Sequence, residues 1–313
     1  MFAVEQLRTS QRNVCGIVGL FLKNPDLEPQ LGTMMTRMLA TMCERGPDSA
    51  GFAVYGAGDR EHVKLTLRAT DSDYDFGTLA KSVSGAIGAP VAVATHDTHA
   101  VFSLPVSLEE KARAAIAGDG GAVKVVSSGT RMEVYKAVGR PDAVADRFKL
   151  SEMSGSHGVA HTRMATESAV TTSGAHPFTT GRDQCLVHNG SLSNHASLRR
   201  AMANSGITFE TENDSEVAAG YLTWRMHEGA SLGDALQRSL DDLDGFYTFV
   251  VGTENGFGVL RDPIACKPAV MAETDDYVAF GSEYRALAGL PGIDKAKVWE
   301  PEPATVYFWE RPA

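Results

Sequence analysis

The chain has 313 residues, 43% of them hydrophobic and 22% charged, the composition of an ordinary globular protein with room for one large or two modest domains. Its 39 acidic residues outnumber 29 basic ones, and the formal net charge of -10 argues against a nucleic-acid backbone as partner, because phosphate binding needs a basic face. No uninterrupted apolar stretch approaches the ~18–20 residues of a membrane span, so a membrane is not expected as a partner either.

Residues 1–14, MFAVEQLRTSQRNV, lack an apolar core of signal-peptide length, so export is not expected. Four cysteines, Cys15, Cys43, Cys185 and Cys266, are scattered without a C-x-x-C pair, which suits a reduced cytoplasmic setting better than zinc or redox chemistry. The first predicted strand, 16–22, follows Cys15 directly. A cysteine there commonly packs as a small hydrophobe. If residues 1–14 are removed, Cys15 instead carries both a thiol of pKa ~8.5 and an α-amine of pKa ~7.7–8.0, a base supplied by the same residue.

A helix is predicted over 29–43, where Leu31, Met34, Met35, Met38, Leu39 and Met42 share one face; this stripe reads as core packing. The run Arg45-Gly46-Pro47-Asp48-Ser49-Ala50-Gly51 leads into a strand at 51–55. Then come a strand at 63–68, a helix at 76–87, strands at 90–95 and 100–104, a helix at 108–117 and a strand at 122–127. That order is β-α-β-β-α-β, the split βαβ or ferredoxin-like unit, and predicts a subdomain over 62–128. His96 and His99 within it lack a third ligand, so no metal is expected.

Beyond it, helices are predicted at 142–148, 196–204, 215–227 with Asp214 near the start, and 235–242. Strands are predicted at 158–161, 185–188, 247–252, 256–260, 269–271, 277–280 and 305–309. Strands mixed with helices in this way predict an α+β protein, two packed sheets covered by helices.

Four further runs stand in order: Gly158-Val159-Ala160-His161-Thr162-Arg163-Met164-Ala165-Thr166, His176-Pro177-Phe178, His188-Asn189-Gly190-Ser191 and Asn213-Asp214-Ser215-Glu216. With Cys15 and the 45–51 run, they give the chain a sequence that resembles the class II glutamine amidotransferases, the N-terminal-nucleophile family. The resemblance covers most of 15–61 and 129–290. It implies the four-layer αββα N-terminal-nucleophile hydrolase fold, with the amidotransferase domain formed by 15–61 and 129–313 and interrupted by the ferredoxin-like insert. Residues 1–14 become a leader expected to be removed. Residues 131–148 resemble the strand and helix before the second family motif. Arg261-Asp262-Pro263, Lys267-Pro268 and Gly281-Ser282-Glu283 resemble the segment that closes the second sheet.

The resemblance also assigns roles. Cys15 becomes the nucleophile and, through its amine, the base; Asn189 and Gly190 become the oxyanion donors. Arg163 would grip the glutamine α-carboxylate as a planar fork, and Asp214 the α-ammonium. Thr166 and His176 would line or support the pocket, while Arg45, Asp48 and Ser49 would brace the nucleophile end. Bland readings stand beside these: an Asn-Gly turn at 189–190, helix capping by Asp214 with Glu216 as a first-turn charge, and a structural His176. Glu167 departs from the residue type other members often carry.

The family-like region ends near residue 290, with no phosphate-cradling Gly-rich loop. The expectation is a free-standing amidotransferase subunit that hydrolyses L-glutamine and passes ammonia to a separate synthase subunit. It looks most like the subunit of glutamate-synthase-like or N-methylglutamate synthase systems, with no cofactor or metal on this chain and any flavin or iron–sulfur chemistry on others. Two alternatives remain open: a stand-alone amide hydrolase of the same fold, and a non-catalytic regulatory or scaffold subunit. Val14 motivates the second, since removal of an initiator methionine does not expose Cys15.

Overall fold

The structure is a computed structural model that describes residues 15–164 and 170–311. The leader expected at 1–14, the pocket residue Thr166 and its neighbour Glu167 lie outside the described residues.

Strand β1 (Gly16–Leu22) is buried along its whole length, which happens only when both faces of a sheet are covered. Its alternation divides it cleanly. Ile17 and Phe21 enter one core, Val18, Leu20 and Leu22 another. β1 pairs antiparallel with β8 (His157–Arg163) on one side and β14 (Tyr277–Gly281) on the other. Outward from β8 lie β2 (Ser49–Tyr55) and β7 (Met132–Val138); outward from β14 lie β13 (Val270–Glu273) and β15 (Lys297–Trp299). The second sheet runs β16 (Thr305–Glu310), β12 (Gly256–Arg261), β11 (Gly245–Gly252), β10 (Gln184–Leu192) and β9 (Phe178–Gly181).

Ile17, Phe21, Tyr55, Val187, Val250, Phe257 and Val259 form the core between the two sheets. Gly19 lets them approach: a Cβ there would stand 2.5 Å from the Phe257 ring. On the outer face of the seven-stranded sheet lie α1 (Leu31–Ala40) and α4 (Pro141–Arg147), and the predicted stripe of Leu31, Met34, Met35, Met38, Leu39 and Met42 is wholly buried there. The helix is shorter than predicted, because the chain around Pro29 makes a 3-10 turn at Pro25–Gln30. On the five-stranded sheet lie α5 (His195–Asn204), α6 (Asp214–His227) and α7 (Leu232–Asp242). The last begins three residues before its predicted start, because Ser231 and Asp234 close a capping box. The layers are therefore α, β, β, α.

Between β2 and β7 the chain forms a third sheet. β3 (His62–Ala69), α2 (Phe76–Ile87), β4 (Ala92–His96), β5 (His99–Pro105), α3 (Glu109–Ala117) and β6 (Val123–Gly129) follow one another, and the strands lie in the order β4-β5-β3-β6, all antiparallel. This is the ferredoxin-like arrangement. Val63, Leu65, Leu67 and Phe102 turn one face toward the helix residues Leu79, Val83 and Ile116. The other face lies against β7: Lys64 pairs with Glu133 at 2.7 Å, and Thr66 Oγ1 accepts from the Val134 N–H at 3.4 Å. His99 is buried with its ring 4.7 Å from that of Phe148, and His96 sits edge-on to Tyr135 at 5.4 Å. Both histidines pack against rings across this contact. Among the described residues no helix is long and apolar enough to cross a membrane.

Candidate active site

Cys15 stands immediately before β1, half-buried, with Sγ 3.9 Å from the Met164 carbonyl. Its own carbonyl oxygen is held from two directions. Arg45, on the turn after α1, donates to it from Nε and Nη2, each at 3.3 Å; Asn189 Nδ2, on β10 of the other sheet, donates at 3.0 Å. Arg45 is itself 6% exposed and uses Nη1 on Glu283. The next two peptides are pinned as well: Gly16 N–H donates to Thr162 Oγ1 at 3.2 Å and Ile17 N–H to Ser282 Oγ at 2.9 Å. The residue that would carry the nucleophile is therefore fixed by both sheets. Burial pushes the Cys43 thiol up and that of Cys185 up to about 11, so both stay protonated at pH 7.

Asn189 and Gly190 do not form a turn; they lie inside β10, opposite Thr248 and Tyr247 of β11. β9 pairs with β10 only as far as Leu186, so the rest of that edge is open. Leu192 N–H points along the open edge and donates to Asp214 Oδ2 at 2.9 Å. In an antiparallel strand every second N–H faces the same way, which aims Gly190 N–H at that edge too. Gly190 has φ +155°, and a Cβ on it would lie 2.0 Å from the Phe246 carbonyl, so only glycine fits.

Arg163 ends β8 and donates from Nη1 to the Gly174 carbonyl at 3.1 Å. Asn213 Nδ2 donates to the same oxygen at 3.3 Å. The capping reading of Asp214 needs correction. Asn213 is the cap of α6, accepting from Ser215 N–H at 2.9 Å, and Asp214 is the first helical residue. Glu216 is no idle first-turn charge either: it accepts from the N–H groups of Glu210 and Thr211, each at 2.7 Å. Asp48 N–H donates to the Arg163 carbonyl at 3.2 Å, and Ser49 lies opposite Arg163 in the β2–β8 ladder, so the Arg45–Ser49 segment and the end of β8 are locked together.

His176 is buried against His161, with ring centres 3.9 Å apart, and near His188, whose Nδ1 lies 2.8 Å from Ser215 Oγ. Loss of water holds His161 down to about 3, His188 to about 4 and His176 well below its usual range, so all three are neutral at pH 7.

One residue of this region was not singled out in the sequence. Lys136 on β7 donates from Nζ to the carbonyls of Ser173, Ala175 and Pro177 at 3.3, 2.9 and 3.3 Å, clamping the segment that carries His176. Burial lowers its ammonium to about 8. The available signal was a single lysine within the otherwise strand-like run MEVYKAV.

Comparison with known proteins bears on both family and fold. Residues 161–289 match the family described as "Glutamine amidotransferase domain". Over 297 residues the chain is 59% identical to the glutamine amidotransferase-like protein GlxB of Rhizobium meliloti, covering 95% of this chain and 98% of that one. It is 36% identical over 137 residues to the glutamine–fructose-6-phosphate aminotransferase (isomerizing) of Vibrio vulnificus, a match spanning 44% of this chain and 22% of the relative. The glutamine phosphoribosylpyrophosphate amidotransferase of B. subtilis, solved with ADP and GMP, shares the fold at a TM-score of 0.59 and 20% identity, over 95% of this chain and 47% of its own. A relative matched end to end at this identity, and a fold whose layers meet at Cys15, place the chain in the class II glutamine amidotransferase family.

Proposed function

We propose that the chain hydrolyses L-glutamine through Cys15 and passes the ammonia to a separate synthase subunit in the cytoplasm. The observation that supports this reading is the convergence on the carbonyl of Cys15 of Arg45, from the turn after α1, and Asn189, from the five-stranded sheet. With residues 1–14 removed, the α-amine of Cys15 takes the thiol proton, directly or through water. The thiolate attacks the side-chain amide carbon of glutamine. The oxyanion so formed accepts from Asn189 Nδ2 and Gly190 N–H, which are fixed before reaction and need no reorganisation. Collapse expels ammonia, protonated by the amine, and leaves a γ-glutamyl thioester that water hydrolyses. Arg163 takes the α-carboxylate and Asp214 the α-ammonium, with Thr166 and His176 about the pocket and Arg45, Asp48 and Ser49 as braces.

The partner of this reading is a glutamate-synthase-like or N-methylglutamate synthase system. What supports a separate synthase subunit is a relative named as amidotransferase-like and matched over 98% of its own length.

The test is glutamate release from glutamine by three proteins: the chain beginning at Cys15, the chain beginning at Met1, and Cys15→Ala. Only the first is expected to turn over. Hydrolysis by Cys15→Ala at the same rate would refute the mechanism. Co-purification from the native host addresses the partner, and a reproducible monomer would count against it.

A further inference from the structure

The ferredoxin-like sheet does not close completely on the body of the protein. Between β3 and β6 on one side and β7, the 173–181 segment and α6 on the other lies a cavity of about 400 Å³. Cys15, Arg163, Asn189 and Asp214 do not line it. Its walls carry three cations, Arg68, Lys124 and Lys136, and two carboxylates, Glu210 and Glu216.

Each carboxylate has hydrogen-bond partners other than Arg68 and Lys136. Glu210 pairs with Lys124 at 3.1 Å, both half or more exposed at the rim. Glu216 accepts from two N–H groups and the Thr211 hydroxyl. Deeper in, Arg68 and Lys136 form no ion pair among the described residues. Lys136 is satisfied by three carbonyls, and Glu210 and Glu216 act on its charge only across the cavity, without touching it. Arg68 is half-buried and, of its five N–H donors, uses one, from Nη2 to Ser173 Oγ at 3.1 Å. A half-buried guanidinium with most of its fork unused, beside a second cation that no carboxylate touches, turns donors and positive charge toward the cavity that an anion can take.

We propose that this cavity binds a small molecule bearing an oxyanion, carboxylate or phosphate, with Arg68 as its two-bond fork and Lys136 supplying the second positive charge. Planar oxyanion geometry matches the guanidinium fork, and the volume admits a metabolite-sized ligand but no macromolecule. The wall at Ser173 is shared ground. Arg68 holds its hydroxyl, Lys136 its carbonyl, and the adjacent Gly174 carbonyl receives Arg163 and Asn213. An occupant of the cavity thus sits beside Ser173, one residue from the Arg163 contact.

Calorimetric titration of the full chain with inorganic phosphate and with succinate, at matched ionic strength and without glutamine, tests the site apart from any glutaminase activity. Saturable binding of one molecule per chain is expected for at least one probe, weakened about tenfold or more by Arg68→Gln. Phosphate alone assigns a phosphorylated ligand, succinate alone a carboxylate, and both a site that reads only the oxyanion. Failure of both probes to bind at tens of millimolar, or equal binding by Arg68→Gln, overturns the proposal. Should that variant not fold, hydrogen exchange on the unaltered chain decides. The probe that binds should slow exchange at 122–126 and 173–181, and unchanged exchange there overturns the assignment.

Discussion

Replacing Asn189 by alanine separates two roles that the structure gives one side chain. Asn189 is 3% exposed, and its Nδ2 donates to the Cys15 carbonyl at 3.0 Å. As a tether it is one of three donors on that oxygen, the other two coming from Arg45, so its loss does not orphan the carbonyl. The expected stability cost is that of one hydrogen bond, ~0.5–1.5 kcal/mol. In a chain of this size that is a fall in Tm of a few degrees, at ~2–4 °C per kcal/mol. As an oxyanion donor it acts in the transition state, and losing one such donor costs ~2.7–4 kcal/mol, or ~10²–10³ in kcat. The two effects therefore differ widely in scale. Steady-state glutamate release by Asn189→Ala, in protein beginning at Cys15, should show kcat reduced by that factor with KM little changed, while the melting curve moves slightly. A kcat within about threefold of the parent, or a change confined to KM, would refute the oxyanion assignment.

Three other perturbations have defined outcomes. Gly19→Ala places a methyl 2.5 Å from Phe257 between the sheets and should cost ~1–3 kcal/mol, read as a lower urea midpoint; an unchanged midpoint would show that the sheets separate freely. Lys136→Met leaves the Ser173, Ala175 and Pro177 carbonyls without their donor. Since the same segment holds Arg163 through Gly174, KM for glutamine should rise severalfold more than kcat falls, and a pure kcat loss would contradict this. Acid should unfold the protein early. Desolvation holds His99, His157 and His161 to about 3 and His188 to about 4, whereas an unfolded histidine protonates near ~6.5. Between these limits the unfolded chain binds more protons, so stability is full above pH ~6.5 and is lost as pH falls toward 4, by up to ~1.4 kcal/mol per pH unit for each histidine. Urea midpoints at pH 7.5 and 5.5 should differ accordingly, and equal midpoints would mean that these rings are hydrated.

Much of this architecture is written locally. The methionine stripe of α1, the alternation of β1 and the β-α-β-β-α-β order are periodic signals spread over many residues, and the elements appear where those signals lie. What escaped is short or depends on distant partners. β9 and β15 span four and three residues, too few to show a period, and exist because β10 and β13 offer edges. Asn189-Gly190 reads locally as a turn, yet β11 draws it into a ladder. Asp214 reads as a cap in sequence, but Asn213 takes that place and the Asp214 carboxylate accepts from the distant Leu192 N–H. Lys136 gives no sign of its clamp in sequence, because its three acceptors lie 37 to 41 residues away.

The chain enters and leaves the ferredoxin-like unit at one place. Tyr55 and Met132, which bracket it, are partners across β2 and β7, and within the unit Lys64 faces Gly129. Host and guest each arrive with their ends already side by side, so neither has to stretch or thread through the other. The twin connection also behaves unlike an ordinary linker: two short strands of chain leaving together resist rotation in a way that one does not. The chain could therefore gain, lose or exchange this unit without rewiring any other strand, yet while present it is held in one orientation against β7.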